Sequence, residues 1–431
     1  MHSRPGGRVR LLQIEPTTRC NYTCGFCVGR HFDQNDLSLE TFRQTLALMP
    51  DLERLELHGE GEPLMHPDFF EMARLARERG IRLSTITNGS LFSADRIDQI
   101  LDSGLDTLFV SIESPREDEF REIRGGVLSK VTDGIRALLE ARRARGLTRP
   151  TVGFSVTVLK RTQTLMPEIA RLYASLGMDG GISAHMLNTM PTYTGYYNPV
   201  MSGQVLTSME QALAWARYSQ IVKDPAFQPA TADVHFSDEV FGQNDPARHT
   251  QDTRHRIAKD YRSCPWLDEG LYVNRHGQAS GCARIKDMSR FAFGDVRVVP
   301  LASLTAQRHL LADRLRSGDT PDPCRGCFIA DSIESRIARL RGVRPVSQRV
   351  VTEADWTLAM AGATIGALPY DAPTLDAVAT FADGSRTTEA IAAAYAEASS
   401  LSLEEATHRL LPALGELVRM KAVTIDPRTT S

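Results

Sequence analysis

Along the first 190 residues, short apolar runs alternate with longer stretches in which apolar residues recur every three to four positions. Val9–Glu15, Arg54–His58, Arg82–Thr87, Thr107–Glu113, Gly153–Leu159 and Gly181–Leu187 have the length and the branched-aliphatic content of strands. Between them, Leu39–Met49, Asp68–Arg79, Ala94–Asp102, Lys130–Arg145 and Leu165–Leu176 carry helical periodicity. Ser38 and Ser93 stand where N-caps belong, and Gly80, Gly104 and Gly177 where helices end. Strands separated by helices predict a parallel α/β sheet with right-handed crossovers. In such folds ligands bind at the carboxyl ends of the strands, so chemistry is expected just after each one.

The pattern then changes. Met190–Gly203 is rich in Tyr, Pro, Asn and Gly and reads as a loop carrying Tyr193, Tyr196 and Tyr197. Met209–Val222 has helical spacing, and Pro225–Tyr261 is irregular and polar. Such an insert is either a binding loop over a barrel mouth or a plain connector. Leu271–Asn274 and Ala279–Cys282 flank a tight turn and predict a hairpin, with Leu301–Leu311 following. Beyond it, Ser332–Arg341 is a helix candidate and Gly342–Thr352 a linker. Trp356–Met360 then leads to helix patterns at Thr374–Phe381, Thr388–Glu397 and Leu403–Met420. The segments so defined are 1–190, 191–262, 263–345 and 350–431.

The chain has 431 residues, enough for about two or three domains with substantial cores. Its 42% apolar and 24% charged residues are ordinary for a globular protein. A net charge of −3 excludes a broad basic face, and Arg142–Arg145 reads as the solvated end of a helix, so no nucleic-acid partner is expected. No apolar run is long enough to cross a bilayer, and the basic residues of Met1–Arg10 precede no signal-peptide core. No membrane partner is expected, and the cytoplasm is the expected compartment.

Seven cysteines in a reducing compartment point to metal ligation rather than disulfides. Cys20, Cys24 and Cys27 share one short loop, and none occurs again until Cys264, Cys282, Cys324 and Cys327. Thiolates suit iron–sulfur clusters and zinc. Three on one loop can hold three corners of a four-iron cluster and leave the fourth iron open. The later four make a closed site: a hairpin brings distant cysteines side by side, and Cys324-x2-Cys327 is a two-ligand turn. Zinc and an iron–sulfur cluster would both satisfy it.

Cys20-x3-Cys24-x2-Cys27, after a first strand and with Phe26 before the third Cys, resembles the signature of the radical S-adenosylmethionine (SAM) superfamily. The resemblance implies a partial (β/α)6 TIM-type barrel, a [4Fe–4S] cluster on these cysteines, and SAM bound at the open iron. Reductive cleavage of SAM then yields a 5′-deoxyadenosyl radical. An electron donor such as flavodoxin or ferredoxin is implied. Phe26 would pack on the adenine. Gly59-Glu60-Gly61-Glu62-Pro63 resembles the family's Gly-Gly-Glu motif, with Gly61 and Glu62 at the SAM amine and Glu60 where Gly is commoner. Thr87-Asn88-Gly89 resembles its Thr-Asn-Gly, which puts Asn88 on the SAM side, although Asn88 also suits a plain turn. Ser111 and Arg124 resemble a SAM-contacting pair, Arg124 offering a planar fork to the SAM carboxylate or, alternatively, making a surface salt bridge. Glu113 stands where Asp is frequent. His58 and His66 are expected to be structural.

Cys264 to Cys327 resembles the SPASM/twitch extension, in the version with one auxiliary [4Fe–4S] cluster. The run from Phe381 to Ala392 resembles small, mainly helical winged-helix-like modules of the PqqD type, which bind leader peptides; a capping or oligomerisation domain is the alternative. Two clusters would use all seven cysteines and leave no thiol to quench a substrate radical. Net oxidation, a dehydrogenation or cross-link, of a ribosomally made peptide is therefore expected. Oxidation or epimerisation of a small natural-product intermediate, an aminosugar or nucleoside, is the alternative. A zinc-stabilised binding protein without catalysis is the third. Glu60, Glu113 and His185 are candidate bases, and the sequence selects none of them.

Overall fold

The computed structural model describes residues 8–207, 210, 213–214, 263–338, 340–341, 345–347, 384–419 and 423–425. Contacts divide the chain into two compact units, one of Val9–Ala258 with Leu271–Leu301, the other of Met1–Arg8, Lys259–Gly270 and Ala302–Ser431.

The first unit is an α/β barrel that does not close. β1 (Leu11–Ile14), β2 (Arg54–Leu57), β3 (Arg82–Thr87), β4 (Thr107–Ser111), β5 (Thr151–Val158) and β6 (Ile182–Met186) pair in chain order, all parallel. Helices α1 (Leu39–Leu48), α2 (Phe69–Glu78), α3 (Ala94–Asp102), α5 (Leu128–Ala144) and α6 (Met166–Ser175) lie between the strands, together with α4 (Glu117–Arg124). Each strand and helix expected over residues 9–190 is present, with ends shifted by a few residues. The helix α4 is additional. Its signals are local: Glu117, Asp118 and Glu119 in the first turn, Arg121 and Arg124 in the last, and Gly125 with φ of 73° at the end. Its short length hid its periodicity.

Local chemistry places these elements. Ser38 and Ser93 accept hydrogen bonds from the N–H groups of Thr41 and Arg96, each cap contributing about 1 kcal/mol. Gly80, Gly104 and Gly177 adopt positive φ just past α2, α3 and α6. In α2 the buried Phe69, Met72, Ala73 and Ala76 form one stripe, while Arg74 pairs with Glu71 and Glu78 on the solvent side. Strand side chains alternate in the same way. Gln13, His58, Ile86, Ser111, Ser155, Thr157 and His185 line the interior cavity, whereas Leu12, Ile14, Leu57, Val110, Phe154, Val156 and Ala184 are buried core. The barrel therefore has apolar walls and a polar lumen.

Three further strands extend the sheet beyond β1: β7 (Gly270–Val273), β8 (Gln278–Ser280) and β9 (Gly294–Asp295), giving the order β6-β5-β4-β3-β2-β1-β7-β8-β9 among the described residues. β7 and β8 form the expected hairpin, turning at Gly277 with φ of 81°. Residues 271–301 thus share the barrel's unit. The expected loop Met190–Gly203 instead holds two one-turn helices, α7 (Pro191–Thr194) and α8 (Pro199–Ser202), each opened by a proline. The helix expected at Met209–Val222 and the irregular Pro225–Tyr261 lie almost wholly outside the described residues.

The second unit contains the helices Pro265–Glu269, Leu301–Arg316 (from its second residue), Phe328–Ala338, Thr388–Ser399 and Leu403–Arg419. Leu267, Leu315, Ile329, Ile333, Ile337 and Leu411 form its core. Arg308 is fully buried, its guanidinium donating to the carbonyls of Gly270 and Arg8. The expected linker at 342–352 contains a strand, β10 (Pro345–Ser347), antiparallel to β11 (Val423–Ile425). Trp356–Met360 and Thr374–Phe381 lie outside the described residues. No helix among the described residues is long and apolar enough to cross a membrane.

Candidate active site

Residues at the carboxyl ends of the six barrel strands, or in the loops that follow them, line one cavity of about 530 Å³. Cys20, Cys24 and Cys27, from the loop after β1, line it together with Phe26, Gly61, Glu62, Asn88, Ser111 and Arg124. These nine residues, scattered over about a hundred positions, share one space because parallel crossovers deliver every strand's carboxyl end to the same rim.

The cysteine loop is held by the backbone of its neighbours. Thr23 N–H donates to Arg124 O at 2.9 Å and Gly25 N–H to Ile123 O at 3.2 Å, tying it to α4. Glu62 N–H donates to Arg19 O at 2.9 Å, tying it to the loop after β2. That approach requires glycine: a Cβ on Gly61 would lie 2.4 Å from Thr17 O. Thr17 and Arg19 are themselves anchored on Asp36.

Glu62 is buried, and its carboxylate accepts from Leu64 N–H, Thr87 Oγ1–H and Asn88 N–H at 3.1, 2.7 and 2.6 Å. Burial raises its pKa, and the three donors oppose that rise. Asn88 donates through Nδ2 to Asn21 Oδ1 at 2.8 Å and lies 3.8 Å from Cys20 Sγ. It therefore joins the turn after β3 to the cysteine loop. Arg124 makes a buried bidentate pair with Glu113, not a surface bridge, and its Nη1 lies 3.7 Å from Cys24 Sγ. Glu113 is fully buried in that pair, so it is not a free base. His66 is structural as expected: its ring bonds Leu37 O at 2.8 Å and accepts from Asp68 N–H. His58 instead lines the cavity, where burial and the nearby Lys286 hold its pKa down at about 3. His185 bonds Ser183 Oγ at 3.0 Å, and burial, with the charge of Arg284, lowers it to about 4. Both imidazoles are neutral near pH 7.

Burial raises all three thiols, Cys24 to about 11 and Cys27 well above its ordinary value, and each charged thiolate would raise its neighbours further. A bound cation would favour their thiolate forms, with release of the protons. Among the described residues no three Cys, His, Asp or Glu side chains meet round a single metal-sized point. The fit rests on the soft donor set and on the room beside it, and both suit a cluster with a small chelating ligand.

One stretch of the cavity lining was not expected. Lys286 and Arg284 follow Cys282 and line the cavity. Lys286 Nζ pairs with Glu60 Oε1 at 2.6 Å and lies over the rings of Tyr193 and Tyr272. Burial works against its charge, but Glu60 and the tyrosines outweigh it and keep its pKa well above the ordinary value. In the sequence only two cations spaced by one residue, just past Cys282, mark this feature. Tyr193 and Tyr197 line the same cavity, while Tyr196 stacks on His31 outside it. Of the later cysteines, Cys264, Cys324 and Cys327 pack against one apolar cluster of the second unit, and Cys282 follows β8 in the first.

Residues 14–173 match the Radical SAM superfamily model. The barrel is a radical SAM domain. The tungsten-containing aldehyde ferredoxin oxidoreductase cofactor-modifying protein of Pyrococcus furiosus is 25% identical over 335 residues, 76% of this chain and 89% of that protein. Streptococcus suis SuiB bound to its precursor peptide SuiA shares the fold with a TM-score of 0.54 at 14% identity, over 69% of this chain and 65% of SuiB. The anSMEcpe enzyme with bound AdoMet and a Cp18Cys peptide gives 0.53 at 12% identity, over 76% and 88%. The chain thus carries a radical SAM domain, and the reading as a zinc-stabilised protein without catalysis is set aside. A radical SAM domain implies a [4Fe–4S] cluster and SAM.

Proposed function

We propose that this radical SAM enzyme carries out a net oxidation, a dehydrogenation or cross-link, of a ribosomally made peptide in the cytoplasm. The observation that supports it most directly is the convergence of the cysteine loop, Glu62, Asn88, Ser111 and Arg124 on one cavity. With cluster and SAM bound, reductive cleavage of SAM supplies a 5′-deoxyadenosyl radical that takes a hydrogen atom from the substrate. Cys20, Cys24 and Cys27 would hold the cluster. The carboxylate of Glu62, fixed by three donors, would accept from the methionyl ammonium, and Gly61 would keep the backbone close. Arg124, neutralised by Glu113, would turn Nη1 toward the ligand. Phe26, 5.8 Å below the Arg124 guanidinium, would pack on the adenine, and Ser111 would reach the ribose or methionine end. Tyr193, Tyr197 and the neutral His58 and His185 would form the substrate side and exclude water.

Cys264, Cys282, Cys324 and Cys327 would hold an auxiliary [4Fe–4S] cluster as an electron outlet, and flavodoxin or ferredoxin would deliver the first electron. No thiol then remains to quench a substrate radical, which favours oxidation over epimerisation. Residues 350–431 would hold the leader peptide in the manner of a PqqD-type module. The test is anaerobic: reconstitution with iron and sulfide, addition of SAM and reductant, and assay of 5′-deoxyadenosine with candidate peptides. Cys24→Ala should yield none. A chain lacking 350–431 should lose peptide binding while still cleaving SAM; unchanged peptide processing would count against the leader role.

A second reading, oxidation or epimerisation of a small molecule, is favoured by the Pyrococcus relative, which is named for modifying a cofactor and aligns over 76% of this chain. Turnover of a free small molecule without any peptide would select it.

A further inference from the structure

We propose that Glu60 and Lys286 are a matched pair of charges that sets the reduction potential of the cluster on the cysteine loop. This rests on the reading that Cys20, Cys24 and Cys27 hold that cluster.

Glu60 occupies a place where its motif commonly has Gly, and its side chain is turned toward a cluster ligand. Glu60 Oε2 lies 3.7 Å from Cys27 Sγ, and the Cys27 thiol also donates to Glu60 O at 3.5 Å. The other oxygen, Oε1, lies 2.6 Å from Lys286 Nζ, and both side chains are largely buried, at 16% and 6% exposed. Neither partner is loose. Glu60 N–H donates to Glu15 Oε1 at 3.0 Å. Its Cβ packs where only the missing side chain of Gly29 leaves room, since a Cβ there would come within 2.4 Å. Lys286 Nζ is held over Tyr193 and Tyr272, 5.7 and 5.5 Å from their ring centres.

Cluster potentials depend on net charge, burial and hydrogen bonds at the sulfurs. A lone buried carboxylate against a ligand sulfur would repel an incoming electron, and at low effective dielectric a charge so close acts strongly. Lys286 cancels that charge. The pair adds no net charge beside the cluster, whereas either member alone adds a full one. The hairpin that carries Cys282 thus reaches the SAM-side cluster electrostatically through Lys286. Both are positioning residues, since neither needs to touch the substrate.

The experiment is an EPR-monitored redox titration of the anaerobically reconstituted enzyme. The relevant signal is the one that changes on adding SAM. Lys286→Met should lower the midpoint potential, Glu60→Gln should raise it, and the double variant should return near wild type. Lys286→Arg, which keeps the charge, should also match wild type, with iron content unchanged. Single variants that shift in the same direction, or none that shifts, would overturn the inference and leave the cluster reading intact. A wild-type chain that binds no iron would overturn the cluster reading and this inference together.

Discussion

Gly61→Ala isolates the contact that fixes the cysteine loop. The new Cβ would stand 2.4 Å from Thr17 O, 2.7 Å from Arg19 O and 2.8 Å from Thr17 C. These are backbone atoms, so no side-chain rotation relieves the clash. Real Cβ contacts are not found below 3.0 Å, so the two loops must part by about 0.6 Å. Overpacking of this kind costs about 1–3 kcal/mol. Thr17 and Arg19 are pinned to Asp36, and Arg19 precedes Cys20, so the displacement passes into the thiol loop. A misplacement near 1 Å can cost about 100-fold in rate, so a loss of roughly 10- to 100-fold is expected. The assay is 5′-deoxyadenosine formation at saturating SAM, with iron content and thermal melting alongside. Gly61→Ala with wild-type iron, melting and SAM cleavage would refute the reasoning, because the loops would then be free to move without consequence.

Glu113→Ala leaves the buried Arg124 without its carboxylate and should destabilise the barrel by about 3–5 kcal/mol in denaturant titration. Glu62→Gln should weaken SAM binding at least roughly tenfold, read by anaerobic calorimetry, since a neutral amide accepts less strongly from an ammonium than a carboxylate does. Glu56 is buried, its Oε2 has no partner, and burial lifts its pKa to about 8. The fold keeps its proton where the unfolded chain has lost it, so Glu56 weakens stability progressively as pH rises from 4.5 toward 8. Glu56→Gln should therefore melt higher than wild type at pH 8.5 and similarly at pH 5; equal melting at both would contradict the assignment. His58 and His185 act in the opposite sense: held near 3 and 4, they favour the fold above about pH 6.5 and cost stability as pH falls below it. His58→Asn should flatten the loss of melting temperature between pH 6.5 and 4.5.

The alternation of strand and helix, the caps at Ser38 and Ser93, and the three thiols before the first helix follow from local preference and spacing. They were legible because each depends on residues within a few positions of one another. Glu62 and Gly61 were legible as a motif, but their physical purpose was not: one receives Thr87 and Asn88, the other admits the backbone of Thr17. The paired state of Arg124 could not be read, because Glu113 lies eleven positions away across a strand end and a helix that the sequence pattern did not reveal. Still less legible was the approach of Lys286 to Glu60, 226 positions apart in sequence. That contact exists because β7 adds to β1 at the barrel edge and carries the following turn over the cavity. Sequence determines periodicity, turns and the chemistry of single residues. Which charges meet inside a barrel is decided by sheet order, a property of the folded chain as a whole.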